Sequence, residues 1–154
     1  MSLTLISPAF SQGERIPDKH ARDGENLLPP VKWSGVPDGT RSFALIVEDP
    51  DAPHGTFRHL GVFNIPPTWE GLAESADTQN GGGPRFAVND FGFARYDGPQ
   101  PPSGHGIHHY HFRLAALDVP KLSTHASAGI EAIWKEACRH KIEEAALIGI
   151  FEVH

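Results

Sequence analysis

The chain has 154 residues, enough for one domain with its own hydrophobic core, and 39% of them are apolar. Its 16 glycines and 14 prolines follow no Gly-X-Y period, which favours short strands joined by shaped loops over a helical bundle or a collagen-like fibre. A formal charge of −6 with no basic run argues against general nucleic-acid or anionic-membrane binding, and the single Cys138 excludes an intramolecular disulfide.

The opening Met1–Pro8 lacks a basic leader region and a long apolar core, and no segment approaches the roughly 20 apolar residues of a membrane span. A cytoplasmic protein without integral membrane association is therefore expected. Residues 1–30 predict an entry strand followed by irregular chain, because Gly13, Pro17, Gly24 and Pro29-Pro30 interrupt any helical pattern. Arg41 to Glu48 predicts a strand apolar on both faces along Phe43–Val47, central and covered on both sides. Pro50 ends it, since proline lacks the backbone donor and restricts Asp49 before it. His59 to Ile65 is the next predicted strand, closed by Asn64 and Pro66-Pro67, and residues 70–84 read as a surface loop ending in Gly81-Gly82-Gly83-Pro84.

Residues 108–117 alternate with period two, placing His108, Tyr110, Phe112 and Leu114 on one face. Phe112 and Leu114 mark that face as the core side, so His108 and Tyr110 occupy its polar end, and His109, His111 and Arg113 are solvated. Ser127 through Ala145 predicts a helix from the spacing of Ile130, Ile133, Trp134 and Ala137. Trp134 is read there as core packing and Cys138 as a buried structural thiol. Residues 146–153 predict a closing strand. A single domain over 1–154 follows, mostly β with a C-terminal helix.

Two segments carry chemistry. Tyr96 to Phe112 begins as rigid Pro/Gly loop and feeds histidines and a tyrosine into a strand mouth, a way to build a small polar pocket. Asp49-Pro50-Asp51-Ala52-Pro53 is either a turn that caps its own amides or a carboxylate fixed to orient a ligand or a histidine. Composition leaves the cis or trans state of Pro50 and Pro53 open. His59 is either structural or a pocket donor. With Asp49 and His108 nearby it would bind phosphate through charge-assisted hydrogen bonds, and an acid–base relay would need the same groups plus a bond to break.

Four histidines between 105 and 111 invite a zinc reading. Strand phase opposes it, because His108 faces away from His109 and His111, and His105 lies in glycine-rich chain. No metal or other cofactor is expected. No Gly-x-Ser-x-Gly elbow or phosphate loop ending in Lys-Ser/Thr occurs, and Ser103 between Pro102 and Gly104 reads as a turn residue.

In order and spacing the chain resembles the phosphatidylethanolamine-binding protein family, also called Raf kinase inhibitor-like proteins, in its bacterial and archaeal branch. The marks run over nearly the whole length. They are Asp23-Gly24-Glu25-Asn26 with Pro29-Pro30-Val31-Lys32-Trp33, Ser42-Phe43-Ala44-Leu45 leading into Asp49–Pro53, then His59 and Asn64-Ile65-Pro66. Asn89-Asp90-Phe91-Gly92, Tyr96 through Gly104 and His108-His109-Tyr110 complete them.

The resemblance implies an antiparallel Greek-key β-sandwich with peripheral helices, and a pocket for phosphate or a phosphorylated headgroup such as phosphoethanolamine. Asp49, His59, Pro101, Pro102, His108 and Tyr110 should shape that pocket. Asp49 would orient a histidine or accept from an amine, while His59 and His108 would donate to anionic oxygens. Asp51 and Pro53 should lock one loop, and Gly104 and Gly106 should allow close chain approach. Three positions depart from the family pattern: His109 for the usual arginine, Phe57 for a frequent tryptophan and Leu28 for a small hydroxyl residue. The expected function is a non-enzymatic binding module for small anions, with regulatory use through an unidentified protein partner. The alternatives are a weak hydrolase or isomerase using the Asp/His pocket, or a kinase-inhibitor-like scaffold. The resemblance also allows a homodimer.

Overall fold

Among the described residues eight strands and one α-helix form two antiparallel sheets, and the strand that organises them is buried along nearly its whole length. The structure is a computed structural model describing residues 2–76 and 83–154. Its strands are β1 (Thr4–Ile6), β2 (Val31–Ser34), β3 (Ser42–Asp49), β4 (Phe57–Ile65) and β5 (Gly71–Leu72). They continue with β6 (Arg85–Phe86), β7 (His108–Leu117) and β8 (Lys141–Phe151), and helix α1 (Ile130–Arg139) precedes β8. The large sheet runs β6-β4-β3-β7-β8 and the small one β1-β2-β5. After the β3–β4 hairpin the chain returns to lay β7 beside β3, which is the Greek-key element.

Strand β3 holds the middle of the large sheet because it is apolar on both faces. Phe43, Leu45 and Val47 point toward the small sheet and meet Leu5, Trp33 and Leu72. Ala44 and Ile46 point the other way, onto Ile130, Ile133 and Ala137 of α1. Each large side chain so buried contributes about 1.5–3 kcal/mol. β7 follows its predicted alternation, with His108, Tyr110, Phe112 and Leu114 buried and His109 exposed. The bonds before Pro50 and Pro53 are trans.

Several expectations are corrected. The predicted helix over 127–145 is a 3-10 turn at Ala126–Ala128 followed by α1, which stops at Arg139. From Lys141 the backbone pairs with β7, starting at Leu117, so the closing strand begins earlier than residue 146. Local propensity loses there to the ladder and to Glu144, whose carboxylate takes Arg113 Nε at 2.7 Å while Glu48 takes another guanidinium nitrogen at 3.1 Å. That pairing leaves Arg113 half-buried rather than solvated, and His111 on the same face is half-buried too. Trp134 is also half-buried, packed at the edge of the second core with the Arg113 guanidinium 5.1 Å from its ring centre. Cys138 is exposed, because it falls off the stripe formed by Ile130, Ile133 and Ala137. The expected loop over 70–84 contains β5, while residues 77–82, including Gly81 and Gly82, lie outside the described residues. The short strands β2 and β6 carry no pattern long enough to predict. Among the described residues no helix is long and apolar enough to cross a membrane.

Candidate functional site

Three strand ends of the large sheet converge on one cavity. Asp49 closes β3, Phe57 and His59 open β4, and His108 and Tyr110 open β7. Antiparallel pairing of Asp49 with Phe57 and of Glu48 with His111 brings these ends to the same edge. The cavity holds about 240 Å³ and is lined at its polar end by Asp49, His59, His108 and Tyr110. Ala52, Pro53, His54, Phe57, Phe91, Gln100, Pro101 and Pro102 form the remaining walls. All six side chains expected to shape a pocket therefore line one space. A larger open groove of about 610 Å³ between β1 and β8 has no titratable side chain in its lining.

Asp49 is the hub. Its Oδ1 accepts the Asp51 backbone N–H at 2.8 Å and its Oδ2 takes His108 Nδ1 at 2.6 Å, with both side chains buried. The Tyr110 hydroxyl faces the same carboxylate. Burial and the Asp49 charge push that phenol far above its ordinary value, so it stays a protonated donor. The carboxylate thereby fixes His108 with Nδ1 protonated, which makes Nε2 the nitrogen left for other contacts. That nitrogen is met by His105 Nδ1 at 2.6 Å. The sequence places His105 only in glycine-rich chain. Its only sequence signal is the three-residue spacing to His108 across a turn bounded by Gly104 and Gly106.

His59 is held differently. Its Nδ1 donates to the Asp97 carbonyl at 2.7 Å. Burial lowers its pKa and outweighs the opposing pull of that carbonyl and of the Asp49 charge, so the ring is neutral. Neutral His59 thus presents Nε2 as an acceptor, whereas the sequence reading expected a donor. Phe57 and Phe91 pack against the ring, with centroids 5.0 and 5.7 Å away, and Tyr110 meets it edge-on at 5.3 Å.

Asp97 anchors this wall from behind. Its fully buried carboxylate takes Asn89 Nδ2 at 2.8 Å, Asn26 Nδ2 at 2.9 Å and an Arg95 guanidinium nitrogen at 3.1 Å. Burial alone would raise this carboxyl, but the bonds from Arg95, Asn89 and Asn26 outweigh it and hold it below the ordinary range. Arg22 reaches Asp97 as well and stacks 4.0 Å from the centre of the Phe91 ring.

The loop positions fall outside this polar end. Asp51 accepts from both the backbone N–H and Nδ1 of exposed His109, each at 2.8 Å, so His109 points away from the cavity. Pro53 lines the cavity, and Gly104 and Gly106 adopt positive φ of 73° and 96°. Ser103 sits in the same turn and donates to the His154 carbonyl. Among the described residues no group of three or more His, Cys, Asp or Glu is placed to hold a metal ion.

A family model described as phosphatidylethanolamine-binding protein matches residues 6–152. The chain belongs to that family. Among its relatives, the UPF0098 protein of Methanothermobacter thermautotrophicus is 41% identical over 97% of this chain and 98% of its own length. The UPF0098 protein of Aquifex aeolicus is 38% identical over 97% of this chain and 88% of its own. The solved structure of E. coli YbcL, described as a new member of the mammalian PEBP family, matches with a TM-score of 0.95 at 32% identity and covers 100% of both chains. A homolog from Chlamydia trachomatis, described as a putative phosphatidylethanolamine-binding protein, gives 0.88 at 35% identity over 99% of each chain. These archaeal and bacterial relatives agree with the branch that the motifs resembled.

Proposed function

We propose that this phosphatidylethanolamine-binding family member is a non-enzymatic module that binds small phosphomonoesters in the Asp49–Tyr110 cavity. The observation that carries this reading is the buried Asp49–His108 pair at 2.6 Å. A carboxylate-oriented imidazole is a strong donor to a phosphate oxygen when protonated, and its partner charge offsets the burial of the cation. The His59 side of the cavity suits an amine. Neutral His59 offers an acceptor, and the Phe57 and Phe91 faces attract ammonium groups. An aminoalkyl phosphate such as phosphoethanolamine carries both of the groups so recognised.

Titration with inorganic phosphate and with O-phosphoethanolamine, followed by NMR, tests this. Saturable shifts are expected at His59, His108 and Tyr110, and H108Q should weaken phosphate at least about tenfold, the loss of one charge-assisted bond. Absence of any saturable shift at these three residues sinks the reading.

The Asp49–His108 pair also supports a second reading, in which it serves as an acid–base dyad of a weak hydrolase or isomerase. Among the described residues no serine, threonine or cysteine lines the cavity, so such an enzyme would have to activate water or move a proton. A screen of esters and phosphate esters, run on wild type, D49A and H108A, decides between them. Turnover that vanishes in both variants would favour the enzyme.

A further inference from the structure

Both nitrogens of His108 are taken. Nδ1 lies 2.6 Å from Asp49 Oδ2 and Nε2 lies 2.6 Å from His105 Nδ1. His108 lines the cavity and His105 does not, so His105 reaches Nε2 from the loop side. A ligand oxygen therefore competes with His105 for the one nitrogen that could donate to it. We propose that His105 is a positioning residue of the anion site, holding Nε2 of His108 in the unliganded protein and yielding it to an entering oxyanion together with proton uptake from solvent. The proposal rests on the anion-binding reading above.

Counting hydrogens shows why protons enter. Asp49 fixes the His108 Nδ1 proton, and a nitrogen–nitrogen contact of 2.6 Å needs one proton between its atoms. In the neutral pair that proton sits on His105 Nδ1 and His108 Nε2 accepts, so neutral His108 has no proton for a ligand. One added proton makes the pair a single shared cation with the contact intact. A second gives each ring two N–H groups, the facing N–H groups repel, and the contact opens. His108 then donates from Nε2 to the anion, with the His105 cation beside it.

The surroundings allow that opening. His105 is exposed in a turn between Gly104 and Gly106, and nothing lies within 4 Å of where a Cβ would stand at either glycine. The turn is tied to the C-terminal segment through Gly104 N–H on the Val153 carbonyl and Ser103 on the His154 carbonyl, and among the described residues the His105 side chain is hydrogen-bonded only to His108. The other ionisable groups around the pair are Asp51, bound to His109, the Tyr110 phenol, neutral His59, cavity-lining His54, and the Glu152–His154 pair on the C-terminal segment. Among the described residues none of them is hydrogen-bonded or ion-paired to His105.

The test has two arms. In the first, long-range 15N spectra of the imidazoles are recorded without ligand for wild type and H105A. His108 should read as the Nδ1–H tautomer at high pH, and its Nε2 resonance should move in H105A. An unmoved resonance overturns the proposal whatever the site binds. In the second, sulfate is titrated from pH 5.5 to 8, since it remains a dianion throughout. Relative to wild type, H105A should bind sulfate more tightly at pH 8, where a competitor is gone, and about tenfold more weakly at pH 5.5, where a cation is lost. Equal affinities of the two proteins at both pH values overturn the proposal. If wild type binds no sulfate or phosphate at any pH while the His108 resonance still responds to H105A, the pairing stands and the anion reading of the cavity is what fails.

Discussion

Asp97 shows how much of this site depends on a residue that never reaches the cavity. Its carbonyl fixes the His59 tautomer, and its carboxylate gathers Arg22 and Asn26 from one stretch of chain and Asn89 and Arg95 from another. D97N keeps the shape but puts an amide among donors, so a loss of about 1–3 kcal/mol is expected in urea unfolding. Because the carboxyl is held below its ordinary value, its stabilisation is full above about pH 4 and fades as pH falls through the folded value. D97N should therefore flatten that acid limb, and an unchanged limb would show that Asp97 is not the anchor. At this scale the sequence was readable where a period exists. His108 and Tyr110 could be phased because Phe112 and Leu114 label the buried face of the same strand. His105 could not, because a turn between two glycines has no period and its partner is decided by how that turn folds back.

The same contrast holds for whole elements. β3 and β7 were legible because long apolar or alternating runs admit few arrangements. The helix overran by six residues because Lys141–Ala145 favours a helix locally, and only the ladder to β7 and the Arg113–Glu144 pair turn it into strand. What holds α1 to the loop before it was equally hidden. Buried Glu136 accepts from the backbone and hydroxyl of Ser123 at 2.7 and 2.9 Å and from the Thr124 backbone at 2.7 Å. Burial raises this carboxyl, yet the bonds from Thr124 and Ser123 outweigh it and hold its pKa at about 2. A depressed carboxyl stabilises the fold fully above its unfolded value near 4.5, and the effect is lost as pH falls from there toward about 2. The contribution reaches about 3 kcal/mol. E136Q should shed most of it at pH 7 and become nearly insensitive to acid across that window. Chemical denaturation at pH 7, 4 and 2.5 measures this, and parallel losses in wild type and E136Q would contradict it.

For the molecule as a whole, the family name raises a question that charge and size address together: lipid surface or free headgroup. The net charge of −6 opposes approach to an anionic bilayer, where each like charge near the surface meets an unfavourable potential. No described helix is long and apolar enough to cross a membrane. A cavity of about 240 Å³ has room for a group the size of a phosphorylated headgroup and none for two acyl chains, which would be left in water. Extraction of a lipid would then expose apolar chain at about 0.8 kcal/mol per methylene, a cost that no contact in this cavity offsets. The protein should bind O-phosphoethanolamine without sedimenting with vesicles of phosphatidylethanolamine and phosphatidylserine at physiological salt. Co-sedimentation that is competed away by free O-phosphoethanolamine would reverse the assignment. It would mean that the cavity takes the headgroup while the lipid remains in the bilayer, with the exposed Phe93 and Ile107, close in sequence to the cavity residues Phe91 and His108, as the first side chains to substitute.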